Sequence, residues 1–179
     1  MPTFEFDYPR YLDAKETVDE RALNERVAHR FVDGLVDFGG STLRVLEAGA
    51  GTGATLRRLL TRLGGREGPP VLQYWFVEER ADNISAARSR LREWASGAGY
   101  DVDEAGSVLS LNGDGPSLLD DVQVEFIERD VFEYLDVAAP GPFDAIVAQA
   151  LLDMVDLDSA IETMARHLRP GGLWYLPIH

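Results

Sequence analysis

Glycines alternate at positions 49, 51 and 53, two residues behind a carboxylate, Glu47. Two further acids, Glu78 and Asp130, follow β-prone runs later in the chain. Glycine, without a Cβ, lets the backbone turn tightly and lets a ligand approach closely. The helix that opens after the turn offers free N–H groups. Such a turn suits a nucleotide-type ligand at the carboxyl end of the first strand of an open α/β sheet. Gly49, Gly51 and Ala54 also satisfy the dinucleotide pattern G-x-G-x-x-G/A, so the glycines alone leave two ligand classes open. Glu47 points elsewhere, because a dinucleotide would place its pyrophosphate close by and like charges repel. A ligand with a positive amino group suits it. At the end of the second strand, the carboxylate of Glu78 accepts hydrogen bonds from both ribose hydroxyls, with Glu79 the one-residue alternative.

The elements that position these residues follow from periodicity. Leu43–Leu46 is a short strand, and Leu56, Leu59, Leu60 and Leu63 recur at helical spacing behind the glycines. Before them, Thr17 and Glu20 form a capping-box pattern. Val18, Ala22, Val27, Phe31 and Leu35 share one face of that helix, which Gly39-Gly40 ends. Residues 1–16 form an aromatic-bearing arm, so residues 1–40 are an arm and helix packing on a core at 41–179, one domain in all. Gln73–Val77 is the second strand, and 82–96 an amphipathic helix with Ile84, Ala87, Leu91 and Trp94 inward. Tyr100–Glu104 and Ser107–Leu111 flank Ala105-Gly106 as a small hairpin inserted before the third core strand, Val122–Ile127. Asp130 on its own is a helix N-cap for Val131–Leu135. Phe143–Ala148 is the fourth strand, Ala160–Leu168 a helix, Arg169–Gly172 a sharp turn and Leu173–Leu176 the fifth strand.

Glu47-Ala48-Gly49-Ala50-Gly51-Thr52-Gly53 resembles the first motif of class I S-adenosylmethionine-dependent methyltransferases, E/D-x-G-x-G-x-G. Phe-Asp-x-Ile at the fourth strand and Leu-Arg-Pro-Gly-Gly-x-Leu at the fifth are similar to segments of the same family. The resemblance runs over about residues 43–176. It implies a Rossmann-like, doubly wound α/β fold with a mostly parallel sheet, its five core strands in the order 3-2-1-4-5. It implies S-adenosyl-L-methionine as cofactor, with Glu47, Ala48, Gly49, Gly51 and Gly53 around the methionine part and Glu78 on the ribose. Asp130 then accepts from the adenine amino group, and the Val131 N–H meets the ring. Residues from Gln149 to Asp153 face the transferable methyl group. Tyr8, Tyr11 and Lys15 are lid candidates on the arm.

The family sheet ordinarily continues past the fifth strand into an antiparallel hairpin. Here that hairpin is expected to be missing, leaving an edge open to pairing between two copies. The acceptor is expected to be a small molecule or a protein. Enzymes acting on base amino groups carry Asn/Asp-Pro-Pro-aromatic after the fourth strand, where this chain has Ala-Gln-Ala-Leu-Leu-Asp, and cytosine-C5 enzymes need a cysteine. No general base stands out. His29, His167 and His179 are poorly placed; Asp153 and Asp156, after the fourth strand, are better placed, but such residues are more often solvated loop carboxylates or helix caps. The alternatives are a nicotinamide-dependent oxidoreductase on the same fold, or a cofactor-binding module without turnover.

Composition narrows the classes further. The 179 residues, 45% hydrophobic, suffice for one α/β domain with a proper core. With no cysteine there is no disulfide, thiolate metal site or cysteine nucleophile, and no metal is expected. The absence of a signal sequence or apolar span points to a cytoplasmic protein. A net charge of −14, with Lys15 the sole lysine, argues against nucleic-acid partners. The same charge predicts a melting temperature that climbs with potassium chloride toward molar concentration as self-repulsion is screened. A flat or falling profile in thermal melts would remove adaptation to a salty cytoplasm as the reason for the acidity.

Overall fold

The computed structural model describes residues 11, 23–66, 68–113, 119, 121–149 and 151–177. In chain order the elements are α1 (Glu25–Val36), β1 (Thr42–Ala48), α2 (Ala54–Leu63), β2 (Val71–Glu78) and α3 (Ala81–Gly97). Then come β3 (Asp101–Ala105), β4 (Val108–Asn112), β5 (Asp121–Glu128), α4 (Val131–Val137), β6 (Phe143–Val147), α5 (Leu157–His167) and β7 (Leu168–Tyr175). The strands form one sheet in the order β3-β4-β5-β2-β1-β6-β7. β5, β2, β1, β6 and β7 are mutually parallel, which is the expected five-strand core order. β3 and β4 are the expected inserted hairpin, antiparallel to each other and to β5. The sheet therefore does carry an antiparallel hairpin, on its β5 edge. β7 pairs with β6 alone among the described residues.

Parallel strands buried on both faces read as near-continuous apolar runs. β1 and β2 do so, and alternate residues serve two cores. Leu43, Val45, Tyr74 and Phe76 join α1, α2 and α3 in one cluster, whereas Leu46, Ala48, Trp75 and Val77 join α4 and α5 in the other. This alternation puts Glu47 on the α2 side of the sheet. On α2, Leu56, Leu59, Leu60 and Leu63 are all buried, as their spacing requires. On α1 the buried face is Ala28, Phe31, Val32 and Leu35, and Val27 is exposed. The expected face was thus rotated by one position. The described helix starts later, at Asn24, whose side chain accepts from the Arg26 and Val27 N–H groups. Val18 and Ala22, like the capping box at Thr17 and most of the arm, lie outside the described residues. On α3, Ile84, Ala87 and Leu91 point inward as expected, while Trp94 is half-buried and packs on Tyr100.

The Arg169–Gly172 turn expected between helix and fifth strand is instead a bulge within β7. The pairing passes from Phe143 opposite Leu168 to Ala145 opposite Leu173, so the extra β7 residues loop out. Gly171 sits at φ +77°, and a Cβ on Gly172 would meet the Arg169 carbonyl at 2.9 Å. Glycine at both positions makes the bulge possible. The bulge aims Arg169 back at the sheet, where its Nη1 lies 2.8 Å from Asp144 Oδ1. Asp144 Oδ2 accepts from the Arg44 N–H at 2.7 Å, so one carboxylate joins β1, β6 and β7. No helix among the described residues is long and apolar enough to cross a membrane.

Removing that carboxylate leaves the Arg44 N–H without its partner and breaks the pair to the half-exposed Arg169. Asp144→Ala is expected to lower stability by about 1–3 kcal/mol in urea unfolding, with the slope unchanged.

Candidate functional site

The carboxyl ends of β1, β2, β5 and β6 converge on the glycine turn. Gly49, Gly51 and Gly53 all take positive φ, +66°, +56° and +79°. An L-residue with a side chain is strained there. A Cβ on Gly49 would meet the Leu151 side chain at 3.2 Å, and one on Gly53 would meet Ala87 and Phe76 at 3.4 Å. The Gly53 N–H donates to the Ala50 carbonyl at 3.1 Å, closing the turn, and the Ala50 N–H donates to Val77 at the end of β2 at 3.1 Å.

Glu78 fixes the turn from the neighbouring strand. Its Oε2 accepts from the Gly51 N–H at 2.8 Å, and its Oε1 accepts from the Arg80 N–H at 3.0 Å and from Asn83 Nδ2 at 3.1 Å. Glu78 is buried against the glycine turn whereas Glu79 is exposed. Asn83 is buried, and its Oδ1 has no hydrogen-bond partner among the described residues. A buried acceptor beside the carboxylate suits a hydroxyl donor.

Glu47 is buried on the α2 side, and its Oε2 accepts from the Tyr74 hydroxyl at 2.7 Å. The contact follows from register. Glu47 lies opposite Phe76, so Tyr74, two residues back on the same face, reaches it diagonally. Burial pushes the Glu47 carboxyl up to about 7. Hydrogen bonds from Tyr74 and Thr55 and the nearby Arg58 charge act against this, and Glu78 adds to it. Tyr74 in turn is raised well above its ordinary value by burial and by the Glu47 charge. Gln149, just past β6, faces the start of α2. Its Oε1 accepts from Thr55 Oγ1 at 2.9 Å and from Arg58 Nη2 at 2.7 Å.

Asp130 Oδ1 accepts from the Phe132 and Glu133 N–H groups at 2.9 and 3.0 Å, making it the N-cap of α4. The side chain is exposed at the end of β5, and Val131 behind it is buried. Glu47, Ala48, Gly49, Gly51, Gly53, Glu78 and Gln149 are thus drawn together about one turn, and Asp130-Val131 stand at the next strand tip but one from β1. Asp156 is the N-cap of α5, accepting from the Ser159 N–H, and Asp153 is exposed. His29 is exposed on α1 beside Glu25. Tyr11 is exposed, and Tyr8, Lys15 and His179 lie outside the described residues.

Sequence reasoning passed over Tyr74, Thr55 and Arg58. Thr55 and Arg58 stand three apart on α2, a spacing that sets them on one face, but nothing in the sequence says that face meets β6. A shallow apolar cleft, open to solvent, adjoins them between α1, α2 and the ends of β6 and β7. Phe31, Val32, Leu59, Val147 and Tyr175 form its walls, with Thr55 and Arg58 on its rim.

Residues 46–174 match the family model described as a methyltransferase domain, a span from β1 to β7. A highly reducing polyketide synthase, LtbA, of Aspergillus luteorubrus is 30% identical over 142 residues, covering 77% of this chain and 4% of that protein. Among solved structures, a SAM-dependent methyltransferase of Geobacter sulfurreducens in complex with S-adenosyl-L-homocysteine superposes with a TM-score of 0.52 at 16% identity. That match covers 87% of this chain and 48% of the other. YjhP of E. coli superposes with a TM-score of 0.52 at 18% identity, covering 87% and 49%. At these identities the structural matches speak for the fold. The chain spans about half the length of these two structural relatives and a small part of the polyketide synthase.

The raised Glu47 carboxyl makes stability depend on pH. Between the ordinary 4.5 and about 7, the folded chain holds a proton that the unfolded chain has released, so stability falls as pH rises through that window. Glu47→Gln removes the dependence. Measured by urea unfolding, the variant is expected to gain on the wild type between pH 4.5 and 7, by a few kcal/mol at about 1.4 kcal/mol per pH unit. A constant difference across the window would contradict the buried acid.

Proposed function

We propose that this chain, which belongs to the methyltransferase domain family, binds S-adenosyl-L-methionine in the crevice at the glycine turn and transfers its methyl group to an acceptor. The observation that carries the reading is the donor set. A buried carboxylate at the end of β1 and a second at the end of β2 flank a turn in which three glycines hold positive φ. Acids on both sides fit a cation and repel a pyrophosphate. The buried Asn83 Oδ1 beside Glu78 adds an acceptor where hydroxyls are needed.

In this reading the bound cofactor supplies an electrophilic methyl group on a sulfonium. Glu47 faces the amino group, the backbone from Ala48 through Gly49, Gly51 and Gly53 admits the ligand closely, and Glu78 takes the ribose hydroxyls. Asp130 has Oδ2 left over from its cap for the adenine amino group, beside the Val131 N–H. Gln149 lies just past the β6 tip on the acceptor side, bonded to Thr55 and Arg58, which line the apolar cleft. What the protein contributes to rate is alignment of nucleophile and methyl group. The acceptor is a small molecule or a protein segment with an apolar part, and the chain's −14 charge disfavours nucleic acid. A cytoplasmic setting and pairing of two copies along the β7 edge complete the proposal.

Calorimetric titration separates this from the oxidoreductase alternative. S-adenosylhomocysteine is expected to bind and NAD not to. Glu78→Gln, which sets an amide NH2 against one of the N–H groups that the carboxylate accepts from, is expected to weaken S-adenosylhomocysteine about tenfold or more, the cost of at least one charge-assisted hydrogen bond. Homocysteine-coupled release across an acceptor panel then tests turnover. Binding of NAD in place of the adenosyl thioether would overturn the assignment.

A further inference from the structure

The cleft between α1 and α2 has apolar walls, but the polar groups beside it are arranged to donate. Phe31, Val32, Leu59 and Val147 line it, and the Tyr175 ring stacks on Phe31 with centroids 4.8 Å apart. That stacking fixes the ring and so the position of its hydroxyl. Among the described residues the hydroxyl makes no hydrogen bond, and it feels the charges of both Arg58 and Arg62. The two arginines are not equivalent. Arg62 is paired with Glu25 at 2.9 Å, which ties α2 to α1 and offsets its charge. Arg58, half-buried, bonds to neutral acceptors, Gln149 Oε1 at 2.7 Å and Thr55 Oγ1 at 3.4 Å, both through Nη2. Glu47 feels the Arg58 charge, yet among the described residues no ion pair joins the two. In a chain of net charge −14, a cation without a paired acid beside an unbonded hydroxyl is a local exception. An anion gains charge-assisted hydrogen bonds there that the acidic surface elsewhere denies it.

Resting on the methyl-transfer reading above, we propose that this cleft is the acceptor subsite and selects a small apolar molecule that carries a carboxylate. The Tyr175 hydroxyl and Arg58 Nη1 each donate one hydrogen bond to the carboxylate, while Phe31, Val32, Leu59 and Val147 cover the apolar part. Because the cleft is shallow, that part is a single ring or a short alkyl chain. Gln149 and Thr55 hold the guanidinium through Nη2 and leave Nη1 for the ligand. Gln149 also ties Arg58 to the segment just past β6, so the carboxylate end of the cleft adjoins the crevice assigned to the cofactor. Tyr175 and Arg58 are thus specificity-determining residues, and the cofactor's own carboxylate is the other anion that reaches Arg58.

Phenylbutyrate and its amide, alike in shape and different in charge, test this in amide-resolved NMR titrations of the full chain. Phenylbutyrate is expected to shift signals around Phe31, Leu59 and Val147, and the amide to bind about tenfold more weakly. Tyr175→Phe keeps the stack and loses the hydroxyl, and Arg58→Gln loses the charge. Each should weaken phenylbutyrate about tenfold and leave the amide within about twofold. Arg30→Gln removes the same charge from an exposed position on α1 and should change neither ligand by more than about twofold. Saturating S-adenosylhomocysteine should leave phenylbutyrate binding intact. Equal affinity for acid and amide, no binding of the acid, or shifts centred outside the cleft would each overturn the proposal. So would displacement of phenylbutyrate by S-adenosylhomocysteine, which would assign Arg58 to the cofactor's carboxylate. A wild-type chain that takes phenylbutyrate but not S-adenosylhomocysteine sinks the methyl-transfer reading instead, a result distinct from all of these.

Discussion

The Glu78 carboxylate is the interaction on which the architecture of the crevice rests. It takes hydrogen bonds from three separate places: the glycine turn through Gly51, the end of its own strand through Arg80, and α3 through Asn83. Without it the turn would keep one strand-side tie, the Ala50 N–H to the Val77 carbonyl. Three glycines at positive φ are permissive but not self-organising, because the freedom that lets them turn also costs entropy to fix. A buried carboxylate satisfied by backbone N–H groups supplies the missing order. Whatever the crevice holds, its floor is fixed before the ligand arrives.

Glu47 is the opposite case. It is buried between β1, β2 and α2, with Tyr74 its nearest partner, and it is left with a carboxyl that titrates near neutrality. Burying a carboxylate without a full set of partners is unfavourable, and folds retain such groups where they act. Arg58 stands near and bonds to Gln149 and Thr55, and among the described residues no ion pair joins it to Glu47. This imbalance sets the glycine turn apart from a loop that merely joins strand to helix.

A second carboxylate, Asp144, joins two motifs that lie far apart in the chain. The Phe-Asp-x-Ile strand and the Arg-Pro-Gly-Gly bulge meet in one ion pair, and the Arg44 N–H of β1 joins them. The Arg44 guanidinium crosses the Trp75 ring at 5.1 Å and donates to the Pro140 and Pro142 carbonyls. The segment entering β6 is thereby tied to the centre of the sheet. On the far edge, Arg88 and Arg92 both pair with Glu104, fastening α3 to the inserted hairpin.

The sequence by itself determined the element order, the glycine turn with its flanking acids, and the inward residues of α2 and α3, because each is a local pattern: period 3.6 on helices, apolar runs in strands, Gly where φ must be positive. It also placed the inserted hairpin. Local pattern failed where a partner sets the answer. The face of α1 turned by one residue because packing against β7 and α2, not spacing alone, chose which side is covered. The Arg-Pro-Gly-Gly segment became a bulge because β6 runs alongside and pairs with both of its ends. Asp130 was legible both as a cap and as a tip acid, and the fold shows the cap. Tyr74, Thr55 and Arg58 became site residues only in three dimensions. Tyr74 reaches Glu47 through strand register, and Gln149 meets Thr55 and Arg58 across more than ninety residues of chain. No window of sequence contains those distances.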